Sequence, residues 1–179
     1  MKAHANARND GRRFEDLLER VLAQYEGAGF MRVRKVDPPT KVFGGRVVFL
    51  ENPFPDFVGV WKEAAGRMVA FEAKSTLEPR LEAGGARGLT KKQLDALGEW
   101  GANGAVVFVL WELRGAVKLI PPVRLRRFCH EITEAKGPRS FRWDEPDLLP
   151  VPQGKGWVIA DFRAVMRDLW GFLIGPGGG

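Results

Sequence analysis

The sequence contains few of the cysteine and histidine residues that form disulfides or bind soft metal ions. It holds one cysteine and two histidines among 179 residues. The lone cysteine, Cys129, excludes an intramolecular disulfide and fits a reducing compartment. Because only His4 and His130 accompany it, no Cys/His zinc cluster can assemble. This excludes zinc fingers and nucleases that bind their metal through histidines.

Long apolar runs are also missing. No run approaches the ~18 residues that a membrane-spanning helix requires. The first residues, MKAHANARNDGRR, lack the apolar core of a signal peptide. No internal repeat or long linker divides the chain. We therefore expect a soluble cytoplasmic protein without a membrane partner, with residues 1–179 folded as one domain.

Acidic residues are outnumbered by basic ones. The chain has 28 Lys and Arg against 22 Asp and Glu, a net charge of +6 and an isoelectric point near 9.8. A basic balance favours a polyanionic partner, chiefly nucleic acid. A merely soluble basic protein would carry the same charge, so charge alone does not decide between the two.

A helix is the first element that the sequence predicts. Apolar residues recur there at spacings of three and four, as on one face of a helix. They are Phe14, Leu17, Leu18, Val21, Leu22 and Tyr25. Asn9 or Asp10 is the expected N-cap, and Gly27 and Gly29 are expected to end the helix.

Strand patterns follow this helix. Residues 30–36 alternate between apolar and polar, and Gly44-Gly45 separates two β-prone runs, as in a two-residue hairpin whose turn needs positive φ. That hairpin, at about residues 40–51, is expected to project from the fold. Strands at 57–61 and 68–74 then form a β-meander.

The second half alternates helices and strands. Residues 76–88, TLEPRLEAGGARG, are typical of a long loop that stays mobile until a ligand orders it. Thr90 is the expected N-cap of a helix with Gln93 at the capping-box position. The apolar run 105–113 predicts a central strand buried on both faces. The remaining predictions are a basic helix at 123–132, a strand at Trp157–Ala160, a helix at Phe162–Leu173 and a fraying tail at 175–179.

Three charged side chains are expected to converge at one end of the meander. Glu72 and Lys74 point to the same face of their strand because side chains at i and i+2 do so. Asp56 begins the preceding strand, and antiparallel pairing brings it near the end of strand 68–74. The sequence therefore predicts two carboxylates and an ammonium where the sheet ends.

Two neighbouring carboxylates repel each other unless a cation lies between them. Mg²⁺ suits such a site because it takes one or two carboxylates and leaves positions for water and phosphate oxygens. A bound metal lowers the pKa of its water. Lys74 could hold or help to deprotonate that water, or neutralise charge on the attacked phosphorus. Glu15 could add a third carboxylate, and Gln93 could orient the substrate or the nucleophile.

These residues resemble the signature of PD-(D/E)xK nucleases, with Pro55-Asp56 followed by Glu72-Ala73-Lys74. From about Asn6 to Trp170 the chain is also similar to RecU-type Holliday-junction resolvases. The similar segments are NARNDGRRFEDLLERVLAQYEGAGF, FPDFVGVWKEAAGRMVAFEAKST, LTKKQLDALGEWGANGAVVFVL and DFRAVMRDLW. The chain departs from that family in a shorter hairpin, in Phe57 for a tyrosine and in Ser75 for an acid.

The resemblance implies an α/β fold with a restriction-endonuclease-like core, a mixed β-sheet flanked by helices, and the hairpin as a small projecting stalk. It implies metal ligation by Asp56, Glu72 and the Ala73 carbonyl, with Glu15 as an accessory acid. Lys74 would be the catalytic lysine and Gln93 a supporting residue.

The expected function is a structure-selective endonuclease that resolves four-way DNA junctions. It would use Mg²⁺, with Mn²⁺ as a substitute, and act as a homodimer because two symmetry-related strands must be cut. A nucleoid-associated location would follow. The candidate DNA contacts are Arg8, Arg12, Arg13, Lys41, Phe43, Arg46, Arg87, Lys91 and Lys92.

Simpler explanations exist for each residue. Glu72 and Lys74 could be an ion pair at a strand edge, Asp56 a turn cap, and Gln93 only a capping residue. Glu15 could pair with Arg12 or with neighbours of Glu19 on a solvated face, and the basic residues could all be solvated surface. Rival functions are a restriction-type or other branched-DNA nuclease, and a non-catalytic DNA-binding protein built on a decayed nuclease fold.

Overall fold

A mixed β-sheet is the centre of the fold. The computed structural model describes residues 2–49, 54–84, 88–133, 140–152 and 161–173, with the backbone alone for residues 2–10, 48–49, 132–133 and 170–173. Within these residues the elements are α1 (Lys2–Gly27), β1 (Met31–Lys35), β2 (Thr40–Phe43), β3 (Arg46–Phe49), β4 (Phe57–Trp61), β5 (Arg67–Thr76), β6 (Arg80–Glu82), α2 (Lys91–Ala102), β7 (Val106–Leu113), β8 (Ala116–Ile120), α3 (Pro122–Thr133), β9 (Ser140–Arg142), β10 (Leu149–Val151) and α4 (Arg163–Leu173). A 3₁₀ turn at Lys62–Ala64 connects β4 to β5.

The sheet has six strands in the order β1-β4-β5-β7-β8-β10. β5 and β7 pair in parallel at its centre, whereas the other neighbours pair antiparallel. Their connection contains α2, because a parallel pair needs a crossover and not a tight turn. The predicted α/β class and the mixed sheet flanked by helices are confirmed.

The alternation of β5 divides the core into two layers. Val69, Phe71 and Ala73 pack in the cluster that contains buried residues of α1 and α4. Ala70 packs in the cluster that contains α2 and α3, and Glu72, also buried, lies on that same side of the strand. The predicted division of side chains between the two faces of this strand is therefore confirmed.

Stacked aromatic rings pack together three strands whose ends meet at the candidate site. The Phe57 and Phe71 rings are 4.9 Å apart between centroids, and the Phe71 and Phe108 rings are 4.7 Å apart. Each ring belongs to a different strand, β4, β5 or β7, and all three are fully buried. Such contacts add to the burial of apolar area and fix the lateral position of the strands.

Several predicted elements are confirmed at their predicted places. The first strand, the two strands of the meander, the central strand, the basic helix and the last helix all form. The hairpin turns at Gly44 and Gly45, whose φ values are 57° and 73°, and β2 and β3 form a two-stranded sheet of their own. The side chains of residues 40–47 are exposed, Phe43 to 76%.

Two predictions are wrong. Helix α1 begins at Lys2, so Asn9 and Asp10 lie inside it and do not cap it. The alanines in KAHANARND favour continuation of the helix upstream, which outweighs the polar capping signal. Residues 76–88 do not form a plain loop, because β6 lies within them and pairs with β9 while Leu81 is fully buried. The strand is too short for its alternation to be recognised.

Some predictions lie outside the described residues. They are the strand at Trp157–Ala160, the tail at 175–179, the last residues of the hairpin, 50 and 51, and the side chains of Arg8 and Arg87.

Candidate active site

The candidate site lies where β4 begins and β5 approaches its end. The antiparallel register pairs Phe57 with Phe71, so Asp56 comes next to Glu72. Asp56 Oδ2 accepts a hydrogen bond from the Ala73 backbone nitrogen at 3.2 Å and lies 3.4 Å from Lys74 Nζ. The structure thus brings together the two acids and the lysine that the sequence singled out.

A glycine allows this arrangement at the neighbouring strand. A Cβ atom on Gly59 in β4 would lie 2.1 Å from the Arg32 carbonyl oxygen and 2.5 Å from the Val33 Cα atom. Only glycine lets β4 approach β1 this closely. Strand β4, which directly follows Asp56, is therefore packed closely against β1.

Glu72 is the residue around which the site is built. Its side chain is fully buried, and its Oε2 atom lies 2.9 Å from Lys74 Nζ and 2.5 Å from Gln93 Nε2. Its other oxygen, Oε1, is buried and has no hydrogen-bond partner among the described residues. An unpaired buried carboxylate oxygen is costly, and such exceptions need an explanation.

Gln93 has both of the roles that the sequence left open. Thr90 and Gln93 form a complete capping box at the start of α2, in which Gln93 Oε1 accepts from the Thr90 backbone nitrogen at 3.1 Å. Because that backbone group can only donate, the amide NH₂ of Gln93 faces Glu72. Helix capping therefore orients the amide that holds the buried carboxylate.

Burial and charge oppose each other in this cluster. Burial raises the pKa of Glu72 to about 8, against the attraction of Lys74, and the nearby Asp56 carboxylate pushes in the same direction as burial. For Lys74, burial works to lower the pKa, but the charges of Glu72 and Asp56 outweigh it, so the pKa is raised. Lys74 consequently stays protonated at neutral pH.

The donor set suits a hard divalent cation. Asp56 and Glu72 offer carboxylate oxygens on one side of the sheet end, and the unpartnered Glu72 Oε1 has capacity for a ligand. The described residues contain no cluster of three or more His, Cys, Asp or Glu side chains. A metal here would rely on two carboxylates, which matches the preference of Mg²⁺ for few protein ligands and several waters.

Glu15 makes a different contact from the one expected for a metal ligand. Its Oε2 atom lies 2.8 Å from Lys35 Nζ, and Glu19 lies 3.5 Å from the same nitrogen. Lys35 is paired with Phe57, which faces the layer of α1, whereas Glu72 faces the layer of α2. In the described part of the chain, Glu15 has no contact with Asp56 or Glu72. Its partner is neither Arg12 nor another residue of its own helix.

The candidate DNA contacts lie in three places. Lys41, Phe43 and Arg46 are exposed on the β2–β3 hairpin. Lys91 and Lys92 are exposed in the first turn of α2, where Lys91 is 2.6 Å from Asp95. Arg12 and Arg13 are exposed on α1.

One acidic residue next to the site was missed by sequence reasoning. Glu112 in β7 lies opposite Ser75 in the parallel register, and its Oε2 atom accepts a hydrogen bond from Ser75 Oγ at 2.5 Å. An acid thus lies against the position at which the resemblance expects one. Only the β5–β7 register could have revealed it, and a single sequence does not show which residues face each other across a crossover.

A cleft also opens at this sheet end, on the layer of α1. It has a volume of about 520 Å³ and is lined by Ser75, Thr76 and Leu77, which directly follow Lys74. Arg13, Arg20 and Arg114 line it as well, and sequence reasoning had selected only the first of these.

Comparison with known proteins adds no assignment, because no protein-family model and no curated protein matches this sequence. Among the described residues, no helix combines the length and apolarity needed to cross a lipid bilayer.

Proposed function

We propose that this protein is a Mg²⁺-dependent structure-selective endonuclease, with a restriction-endonuclease-like core, that resolves four-way DNA junctions as a homodimer. The observation that carries the hydrolytic part is the state of Glu72. A fully buried carboxylate with one oxygen held by Lys74 and Gln93 and the other unpartnered, beside Asp56, is what a metal-assisted phosphodiesterase needs.

An ordinary buried ion pair is the simplest competing explanation. A single lysine would then neutralise one carboxylate, but here Lys74 lies within 4 Å of both Asp56 and Glu72. The cluster holds one positive and two negative groups once both acids ionise. Burying such an excess of charge is unfavourable, so without a further cation Glu72 keeps a proton up to a pKa of about 8. A divalent cation would take the place of that proton. This need for a proton or a further cation distinguishes the cluster from an ordinary ion pair.

The residues of the chain have distinct roles in the proposed hydrolysis. Water forms a bond to phosphorus and gives up one proton to solvent, while one P–O ester bond breaks and the leaving oxygen takes up a proton from solvent. Negative charge grows on the phosphate oxygens during this exchange. The Lys74 ammonium, fixed between the two acids, neutralises that charge. The Ala73 backbone nitrogen holds Asp56, and Gln93 holds Glu72, so that neither acid must reorient during the reaction.

Asp56, Glu72 and the Ala73 carbonyl would hold the metal. When bound, Mg²⁺, or Mn²⁺ in its place, would lower the pKa of a water molecule and stabilise charge on the phosphate. Glu15 remains a candidate accessory acid only if its contact with Lys35 opens.

The selectivity for junctions and the dimer rest on the resemblance in sequence. The exposed hairpin and the net charge of +6 support a DNA partner. Recognition would depend on the backbone and shape of the junction. A junction should therefore bind far more tightly than a linear duplex of the same sequence.

The first experiment is cleavage of a labelled four-way junction and its matched linear duplex, with Mg²⁺ or with EDTA. Wild type, Asp56→Asn and, as a matched control at an exposed aspartate of α4, Asp168→Asn are compared. We expect paired symmetric nicks on the junction only, lost with EDTA and in Asp56→Asn but kept in Asp168→Asn.

A second readout does not depend on activity. Mg²⁺ should raise the melting temperature of wild type, since a ligand that binds only the folded state stabilises it, and should have little effect on Asp56→Asn. Cutting of linear duplex at defined sequences would instead indicate a restriction-type nuclease. Junction binding without any cutting or Mg²⁺ effect would indicate a non-catalytic DNA-binding protein.

A further inference from the structure

A positively charged cleft adjoins the candidate active site and has no role in the proposed chemistry. It lies on the α1 side of the sheet end and begins at Ser75, directly after Lys74. Arg13, Arg20 and Arg114 line it, against one acid, Glu112. Within the described residues, the side chains of these three exposed arginines make no hydrogen bond or ion pair. Three guanidinium groups without protein partners around one cleft are poised for an anionic ligand.

The single acid in the cleft is already occupied. Glu112 Oε2 accepts from Ser75 Oγ at 2.5 Å, and Glu112 Oε1 accepts from the Gly115 backbone nitrogen. Both oxygens therefore bind groups of the protein. These contacts also tie the β7–β8 turn to the end of β5, so that Arg114 is held at a fixed place relative to Lys74.

The conformation of Arg114 points to a function for its side chain. Arg114 has a φ of 51° and Gly115 a φ of 88°, as in a two-residue turn of the primed type. The first position of such turns favours asparagine, aspartate or glycine, and an arginine there is strained. An outlier of this kind is typical of functional sites, where strain is retained for the sake of a side chain.

The spacing of the arginines fits a strand of nucleic acid. Arg13 and Arg20 are seven residues apart on α1, which is about 10.5 Å along the helix axis. That length corresponds to about three nucleotide steps at ~3.4 Å each. Arg114 lines the same cleft from the β7–β8 turn.

We propose that Arg13, Arg20 and Arg114 form a binding site for the phosphate backbone of the DNA strand that leaves the active site. The assignment rests on the proposed function for its ligand class, but its residues are distinct from those that carry the chemistry. Contacts of this kind position the substrate without reading its sequence.

The test measures binding of a labelled four-way junction by fluorescence anisotropy, in EDTA and in the Asp56→Asn background, so that no cleavage occurs. Arg13→Gln, Arg20→Gln and Arg114→Gly are compared with Arg126→Gln, which removes the same charge at the opposite end of the sheet. We expect each cleft variant to bind about fivefold to tenfold more weakly at low salt, with the slope of log K against log salt reduced by about 0.9. Arg126→Gln should bind like its parent.

Arg114→Gly provides a control for folding. Glycine removes the strain at positive φ, so this variant should melt at a higher temperature, by about 2–4 °C, while it binds DNA more weakly. A weaker binder that is also more stable cannot be explained by misfolding.

The outcomes separate this proposal from the proposed nuclease activity. If the cleft variants bind the junction as tightly as their parent, or if the parent does not bind it, the cleft has no such role, whether or not wild type cuts DNA. If they bind more weakly but the protein with Asp56 intact does not cut, the cleft is a DNA site and the nuclease proposal fails.

Discussion

Glu72 makes the stability of this protein depend on pH in an unusual direction. An unfolded glutamate loses its proton near pH 4.5, whereas burial raises the pKa of Glu72 to about 8 in the folded protein. Between these values the folded state holds a proton that the unfolded state has lost. Stability therefore falls as pH rises from 4.5 to 8, which is opposite to the usual behaviour of a paired acid.

Glu72→Gln should remove that dependence. In EDTA, we expect the melting temperature of wild type to fall relative to that of Glu72→Gln by several degrees between pH 5 and pH 8, because the substitution leaves no group to ionise. Thermal melts at closely spaced pH values measure the difference. A gap between the two proteins that stays constant with pH would show that Glu72 is ionised throughout this range.

Residues at the site were predictable where one strand pattern determined them. Alternation alone placed Glu72 and Lys74 together, and the meander added Asp56. Glu112 and the Lys35 partner of Glu15 were not predictable, because both contacts depend on the pairing of elements distant in sequence. The double role of Gln93 was visible only in part, since the capping pattern is local and its contact with Glu72 is not.

At the scale of elements, α2 combines helix capping with the positioning of an acid. Thr90→Ala removes the side-chain oxygen that accepts from the Gln93 backbone nitrogen at 3.2 Å, at a cost of about 1 kcal/mol. Gln93→Ala removes the reciprocal half of the capping box and also the donor to Glu72. Gln93→Ala should therefore lower the melting temperature more than Thr90→Ala does, because it also leaves a buried acid without a hydrogen-bond donor.

Their activities should differ. We expect kcat for junction cleavage to fall by about 10- to 100-fold in Gln93→Ala, as is typical when a residue that orients a metal ligand is lost, and to change little in Thr90→Ala. Single-turnover kinetics with saturating enzyme would measure this. Equal kcat values in both variants would mean that Gln93 caps the helix but does not position Glu72 for catalysis.

Elements were predictable in proportion to their length and regularity. The buried run of β7 and the Gly44-Gly45 turn were both determined by local sequence. Strand β6 was not, because three residues give no period and its order depends on β9. Helix α1 begins several residues before the predicted N-cap, because the residues upstream of Asn9 also favour a helix.

At the scale of the whole molecule, one glutamate fastens the last helix to the meander. Glu63, in the turn before β5, accepts from Arg163 at 2.8 Å and from Arg167 at 2.9 Å. Hydrogen bonds from Arg167 and then from Arg163 lower the pKa of Glu63 to about 2. The stabilisation is therefore present above pH 4.5 and is lost as pH falls from 4.5 towards 2.

Glu63→Gln should lower the melting temperature slightly at pH 6, and the difference from wild type should vanish as pH approaches 2. Both ion pairs of Glu63 are partly exposed, so their contribution to stability is small. Glu99→Gln, at an exposed glutamate of α2, is the control. Loss of the same stability at every pH would mean that the contacts of Glu63 do not depend on its charge.

The parallel pairing of β5 with β7 has a consequence for the order of folding. The β4–β5 and β7–β8 ladders join strands that are close in sequence, whereas the β5–β7 ladder closes a long loop and carries the larger entropic cost. We expect the two local units to form early and their association to be the slow step. Asp56, Glu72 and Lys74 all belong to the first unit, but Gln93 belongs to the crossover. During synthesis the charged residues of the site thus emerge first, and we expect them to remain hydrated until β7 pairs with β5. The free-energy cost of desolvating Glu72 then arises only in that pairing step.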